Sequence, residues 1–62
     1  MIVIYGQEMP RDILHEATTV LSQMFEVESS SCGTFFVHVE TQEDQKQAEE
    51  ICRSFSLPYE RA

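Results

Sequence analysis

The chain has 62 residues, 4 Lys+Arg against 11 Asp+Glu, and a formal net charge of −7 with both histidines neutral. Four scattered cations cannot line a phosphate groove or hold an anionic lipid surface, so neither nucleic acid nor membrane is expected as a partner. At 42% hydrophobic and 24% charged residues the composition is globular rather than disordered, and one small domain with a thin core, residues 1–62, is all that fits.

The first element is the run Ile2-Val3-Ile4-Tyr5, which ends at Gly6 and predicts a short strand buried on both faces or central in a sheet. At Pro10 the pattern changes. Proline suits a first helical position, where its missing N–H has no partner to lose, and Asp12 favours the positive end of the helix dipole. Ile13, Leu14, Ala17, Val20, Leu21 and Met24 recur with the spacing of one helical face and predict a helix over residues 10–23.

Phe25-Glu26-Val27-Glu28-Ser29-Ser30 and Thr34-Phe35-Phe36-Val37-His38-Val39-Glu40 both alternate and read as a hairpin. A two-residue Cys-Gly loop would pair Val27 with His38 and Phe25 with Glu40, mixing the two faces. A three-residue Ser31-Cys32-Gly33 loop, with Gly33 left-handed, pairs Val27 with Val37, Phe25 with Val39 and Ser29 with Phe35, so the pattern selects this register. On the other face it sets Glu26 opposite His38 and Glu28 opposite Phe36. Thr41 then opens a second helix as the N-cap of a T-x-x-D capping box, with Glu43 and Asp44 in the first turn. Ala48, Ile51, Cys52 and Phe55 form its apolar stripe, while Lys46 with Glu50 and Glu49 with Arg53 are spaced as ion pairs on the exposed side. Leu57-Pro58-Tyr59-Glu60 follows as a last strand, restricted by Pro58 to a sheet edge or to its first residue.

The order β-α-β-β-α-β is that of the α+β ferredoxin-like fold, two helices on one face of a four-stranded antiparallel sheet of order 4-1-3-2. Phe25, Val27, Phe35, Val37 and Val39 are expected to face the helices. Phe36, His38, Glu26, Glu28 and alternate residues of the first strand are left on an open face, of the kind that meets another chain, a ligand or water.

No apolar run reaches the roughly 18 residues of a membrane span, and the first residues lack the basic flank and length of a signal peptide, so a cytoplasmic location is expected. Cys32 and Cys52 fit neither a disulfide framework nor a CxxC motif, and reduced thiols are expected. His15, on the polar side of the first helix, and His38 have no companions at metal-ligand spacing; no metal and no cofactor is expected. Glu26 and His38 have the make-up of a base and its orienting carboxylate, yet no Ser or Cys nucleophile is placed beside them, and a cross-strand ion pair fits better. Cys52 reads as a small buried hydrophobe. Cys32, at a hairpin tip among small residues, is the candidate reactive thiol, although no cation lies near it in sequence to favour the thiolate.

The segment Ser29-Ser30-Ser31-Cys32-Gly33, followed by a strand, a helix and a terminal Tyr59, resembles the small bacterial selenium/sulfur carrier-like domains over about half the chain. In those domains a Ser-Cys-Gly turn precedes a strand. The resemblance implies a sulfur-bearing role for the Cys32 thiol. The proline-containing segment that those domains place before the motif is absent here.

Three functions follow as expectations. The leading one is a non-enzymatic protein-binding or regulatory module acting through the open face. Tyr5 or Val3, Phe36 and His38 form its centre and Glu26 and Glu28 its rim, and it is directed at a second copy, as a homodimer, or at a protein it regulates. The second is thiol chemistry at Cys32, as a sulfur or selenium carrier or a redox-sensing turn. The third is a polyanionic inhibitor imitating nucleic acid, although Asp12, Glu43 and Asp44 serve helix starts and Glu49 and Glu50 have partners four residues away. Base stacking on Phe36 and Tyr5, as in RNA-binding sheets, is opposed by Glu26, Glu28 and Glu40 beside them.

Overall fold

A computed structural model of the chain describes residues 1–30 and 32–62. Six elements follow in the expected order: β1 (Ile2–Tyr5), α1 (Arg11–Met24), β2 (Glu26–Ser29), β3 (Thr34–His38), α2 (Gln42–Ser54) and β4 (Tyr59–Arg61). All strand pairs are antiparallel and the sheet order is β2-β3-β1-β4, the ferredoxin-like order read from the other edge. β1 is central, between β3 and β4, and its side chains divide by alternation. Ile2 and Ile4 are fully buried with Val37 of β3, Ala17 and Leu21 of α1, and Ala48 and Cys52 of α2. Val3 and Tyr5 fall on the opposite face.

The hairpin has the expected register, with Glu26 opposite His38, Val27 opposite Val37, Glu28 opposite Phe36 and Ser29 opposite Phe35. The Ser30 N–H donates to the Thr34 carbonyl at 2.8 Å. Gly33 has φ +81°, a region where a Cβ costs about 1–2 kcal/mol. Ser31, the first residue of the expected loop, lies outside the described residues. Phe25 and Val39 lie just beyond the strand ends, half-buried against the core.

α1 starts one residue later than expected. Pro10 remains extended, with ψ 137°, and its carbonyl accepts from the Leu14 N–H at 3.0 Å. Two residues of the expected stripe are uncovered, Ile13 at 36% and Met24 at 51% exposure. Met24 is uncovered because it borders an open groove, where it and Val20 face Gln47, Glu50, Ile51 and Ser54 of α2 across about 490 Å3. Thr41 caps α2 as expected, its hydroxyl accepting from the Asp44 N–H at 3.0 Å.

α2 ends in a left-handed residue that is not glycine. Ser56 has φ 56°, its N–H donates to the Arg53 carbonyl at 3.0 Å, and the Leu57 N–H donates to the Cys52 carbonyl at 2.8 Å. These two bonds satisfy terminal carbonyls and turn Leu57 into the core. β4 consequently spans Tyr59–Arg61 instead of residues 57–60. Pro58 precedes the strand and has no N–H to give; its carbonyl accepts from the Tyr5 N–H at 2.9 Å. No helix among the described residues is long and apolar enough to cross a membrane.

Candidate functional site

Both helices pack on the Ile2, Ile4 and Val37 side of the sheet. On the other side the register builds a row across all four strands: Glu28 of β2, Phe36 of β3, Val3 of β1 and Glu60 of β4. The row has an apolar centre and a carboxylate at each sheet edge. Tyr5, 39% exposed, extends the centre beside Thr34, its partner on β3. Tyr5, Glu26, Glu28, Phe36 and His38, expected together on the open face, do share it. Glu60 joins them without having been expected, because the register of so short a strand after Pro58 has no alternating pattern to fix it.

The charges on this face are arranged differently from the sequence reading in one respect. His38 Nε2 lies 3.2 Å from Glu28 Oε1, a diagonal neighbour, and not against Glu26, which stands directly opposite. Diagonal cross-strand neighbours are within reach of long side chains, so a directly opposite position does not decide the pair. Partial burial, and after it the Glu60 carboxylate beside its hydroxyl, pushes the Tyr5 phenol above its ordinary value. Glu26 and His38 also line an open hollow of about 270 Å3 with Met24, Phe25, Glu40 and Asp44. Among the described residues, no group of three or more His, Cys, Asp or Glu could hold a metal ion. His15 is exposed on α1, beside a hollow of about 230 Å3 whose lining includes Thr19, Val27 and Phe35.

No family model, no curated protein and no solved structure matches this chain. Function has to come from these side chains and their geometry.

Cys32 is exposed and free at the hairpin turn, and Cys52 is free and buried. The Cys32 Sγ lies 3.2 Å from the Ser30 hydroxyl and 3.8 Å from that of Thr34. These hydroxyls, Ser30 first and Thr34 second, draw the thiol below its ordinary pKa. Hydrogen bonds to the thiolate thus supply part of what an absent cation would. Burial, with the Glu49 carboxylate adding to it, pushes Cys52 the other way, up to about 11.

Glu49 departs most from the sequence reading. It is 6% exposed, not on the solvated side of α2, and its partner is Arg61 of β4 instead of Arg53. Arg61 Nε donates to Glu49 Oε2 at 2.8 Å and Nη2 to Oε1 at 3.3 Å. The Tyr59 hydroxyl donates at 3.3 Å and the Gln45 amide at 3.2 Å. This carboxylate ties β4 to α2 and so holds the strand that carries Glu60. Lys46 and Glu50, the other pair expected on α2, are not among the ion pairs of the described residues.

Proposed function

We propose that the protein is a non-enzymatic binding module that presents the open face of its sheet to another protein. The observation that carries this reading is the row Glu28, Phe36, Val3, Glu60, an apolar centre with charged margins of the kind found in protein interfaces. A 62-residue chain has little apolar surface to bury in its own core. Covering the rings of Phe36 and Tyr5 would add stabilisation at roughly 25 cal/mol per Å2. Phe36 is only half-buried, so Phe36→Glu should leave the fold standing while putting a charge at the centre of the face. In a comparative capture from host extract, wild type and Met24→Glu, changed in the groove between the helices, should retain a protein that Phe36→Glu loses by about tenfold or more. If the partner is a second copy, the same change turns a dimer into a monomer in sedimentation. Equal retention and unchanged sedimentation for Phe36→Glu would overturn the reading.

A second reading rests on Cys32. Its exposure, and the Ser30 and Thr34 hydroxyls that favour its thiolate, suit a sulfur- or selenium-bearing thiol of the kind the carrier-like turn implies. Mass spectrometry of protein isolated from its host is then expected to find a persulfide or selenide on Cys32 and none on Cys52. An unmodified Cys32 thiol, slow to react with iodoacetamide at neutral pH, would count against it.

A further inference from the structure

Resting on the binding reading above, we infer that the open face takes a different protein, one whose apolar patch is flanked on two sides by Lys or Arg, and not a second copy of this chain. The placement of the cations is the first ground. Arg11 is on α1, Lys46 and Arg53 are on α2, and Arg61 is turned to Glu49. None of the four Lys and Arg residues lies on the open face, where His38 is the basic side chain and already meets Glu28.

Symmetry is the second ground. A two-fold dimer through this face either lays the row Glu28, Phe36, Val3, Glu60 over a copy of itself or crosses the two rows, and a crossed arrangement still brings these carboxylates no Lys or Arg. Both ends of the row are acidic, so with the rows overlaid turning one copy end for end changes nothing: a carboxylate meets a carboxylate at each margin. Like charges brought together at an interface cost several kcal/mol and select against the wrong partner. A basic partner reverses that term. Neighbouring strands are about 4.8 Å apart, which puts the two edges roughly 14 Å apart and sets the spacing of the partner's cations.

The test uses the full chain, labelled with nitrogen-15, and two synthetic amphipathic helical peptides that share a Leu/Phe stripe. One carries Arg at both ends of the stripe and the other carries Glu in the same places. The Arg peptide should shift the resonances of Val3, Tyr5 and Phe36. Its affinity should fall about tenfold or more against Glu28→Lys/Glu60→Lys, and also with added salt. The Glu peptide should bind at least about tenfold more weakly than the Arg peptide. Equal binding of both peptides on this face would overturn the basic-partner inference and leave the binding reading standing, as would a wild-type dimer through the face at neutral pH and low salt. Failure of both peptides to shift these resonances would overturn the inference. Failure of the binding reading shows separately, as indifference of capture and sedimentation to Phe36→Glu.

Discussion

Replacing Ile4 by alanine is expected to remove about 2–5 kcal/mol of stability. Ile4 lies on the central strand, fully buried, between Phe35 of β3 and Tyr59 of β4, so it packs against both neighbouring strands and the helix layer. A domain of this length typically has about 3–9 kcal/mol in total. The truncation therefore consumes a large part of the whole and lowers the melting temperature by roughly 10–30 °C. Little relaxation is available to soften it, because hydrogen bonds to strands on both sides fix the backbone at Ile4. A melting temperature within about 4 °C of wild type would mean that the core is not organised around β1 as described.

Replacing Glu49 by glutamine is expected to lower the urea midpoint at neutral pH by an amount that shrinks in acid. The Arg61 guanidinium, acting through its hydrogen bonds, holds the Glu49 carboxyl below its ordinary value against the opposing effect of burial, with Gln45 and Tyr59 adding to the depression. A carboxyl whose folded pKa lies below its unfolded one stabilises the fold fully above the unfolded value, and that contribution is lost as pH falls through the folded one. Glutamine does not titrate, so the gap between variant and wild type should close across that window. Arg61→Met should act in the same direction, and the double variant should lose little beyond the larger single loss. A gap that stays constant from neutral pH to well below the glutamate range would assign the effect to shape and not to charge. The consequence reaches the open face, since β4 positions Glu60 and is tied to α2 by this carboxylate.

The element order, the sheet order and the hairpin register were legible because each had a pattern to express it. Alternation in Glu26 to Ser29 and Thr34 to His38 admitted one pairing that keeps the faces apart, and Gly33 supplied the left-handed turn. Thr41 was recognisable as a cap from its own side chain and the acids after it. What was not legible depends on contacts between distant elements. Glu49 has an arginine four residues on, the signature of an exposed helical pair, and nothing local announces that Arg61, twelve residues away, will take it instead. Ser56 carries no glycine signal for its left-handed turn, which the two bonds at the end of α2 and the burial of Leu57 impose. His38 turned to Glu28 because direct opposition in a ladder is only one of two close arrangements. In the candidate site, the five residues named from alternation lie together, whereas Glu60 required the register of β4.

Glu26 and Glu28 also serve the unbound protein. They stand on the outer strand β2, where charge discourages indiscriminate pairing of sheet edges. The same residues that keep this edge soluble define the margin of the proposed binding face. Oxidative side-chain footprinting, run on the purified protein and again inside host cells, tests that face most directly. The account predicts that Tyr5, Phe36 and His38 lose labelling in cells relative to the purified protein while the exposed Met24 on the helical side is labelled as before. Unchanged labelling of Tyr5, Phe36 and His38, or protection that falls on Met24 and Ile13 instead, would contradict it.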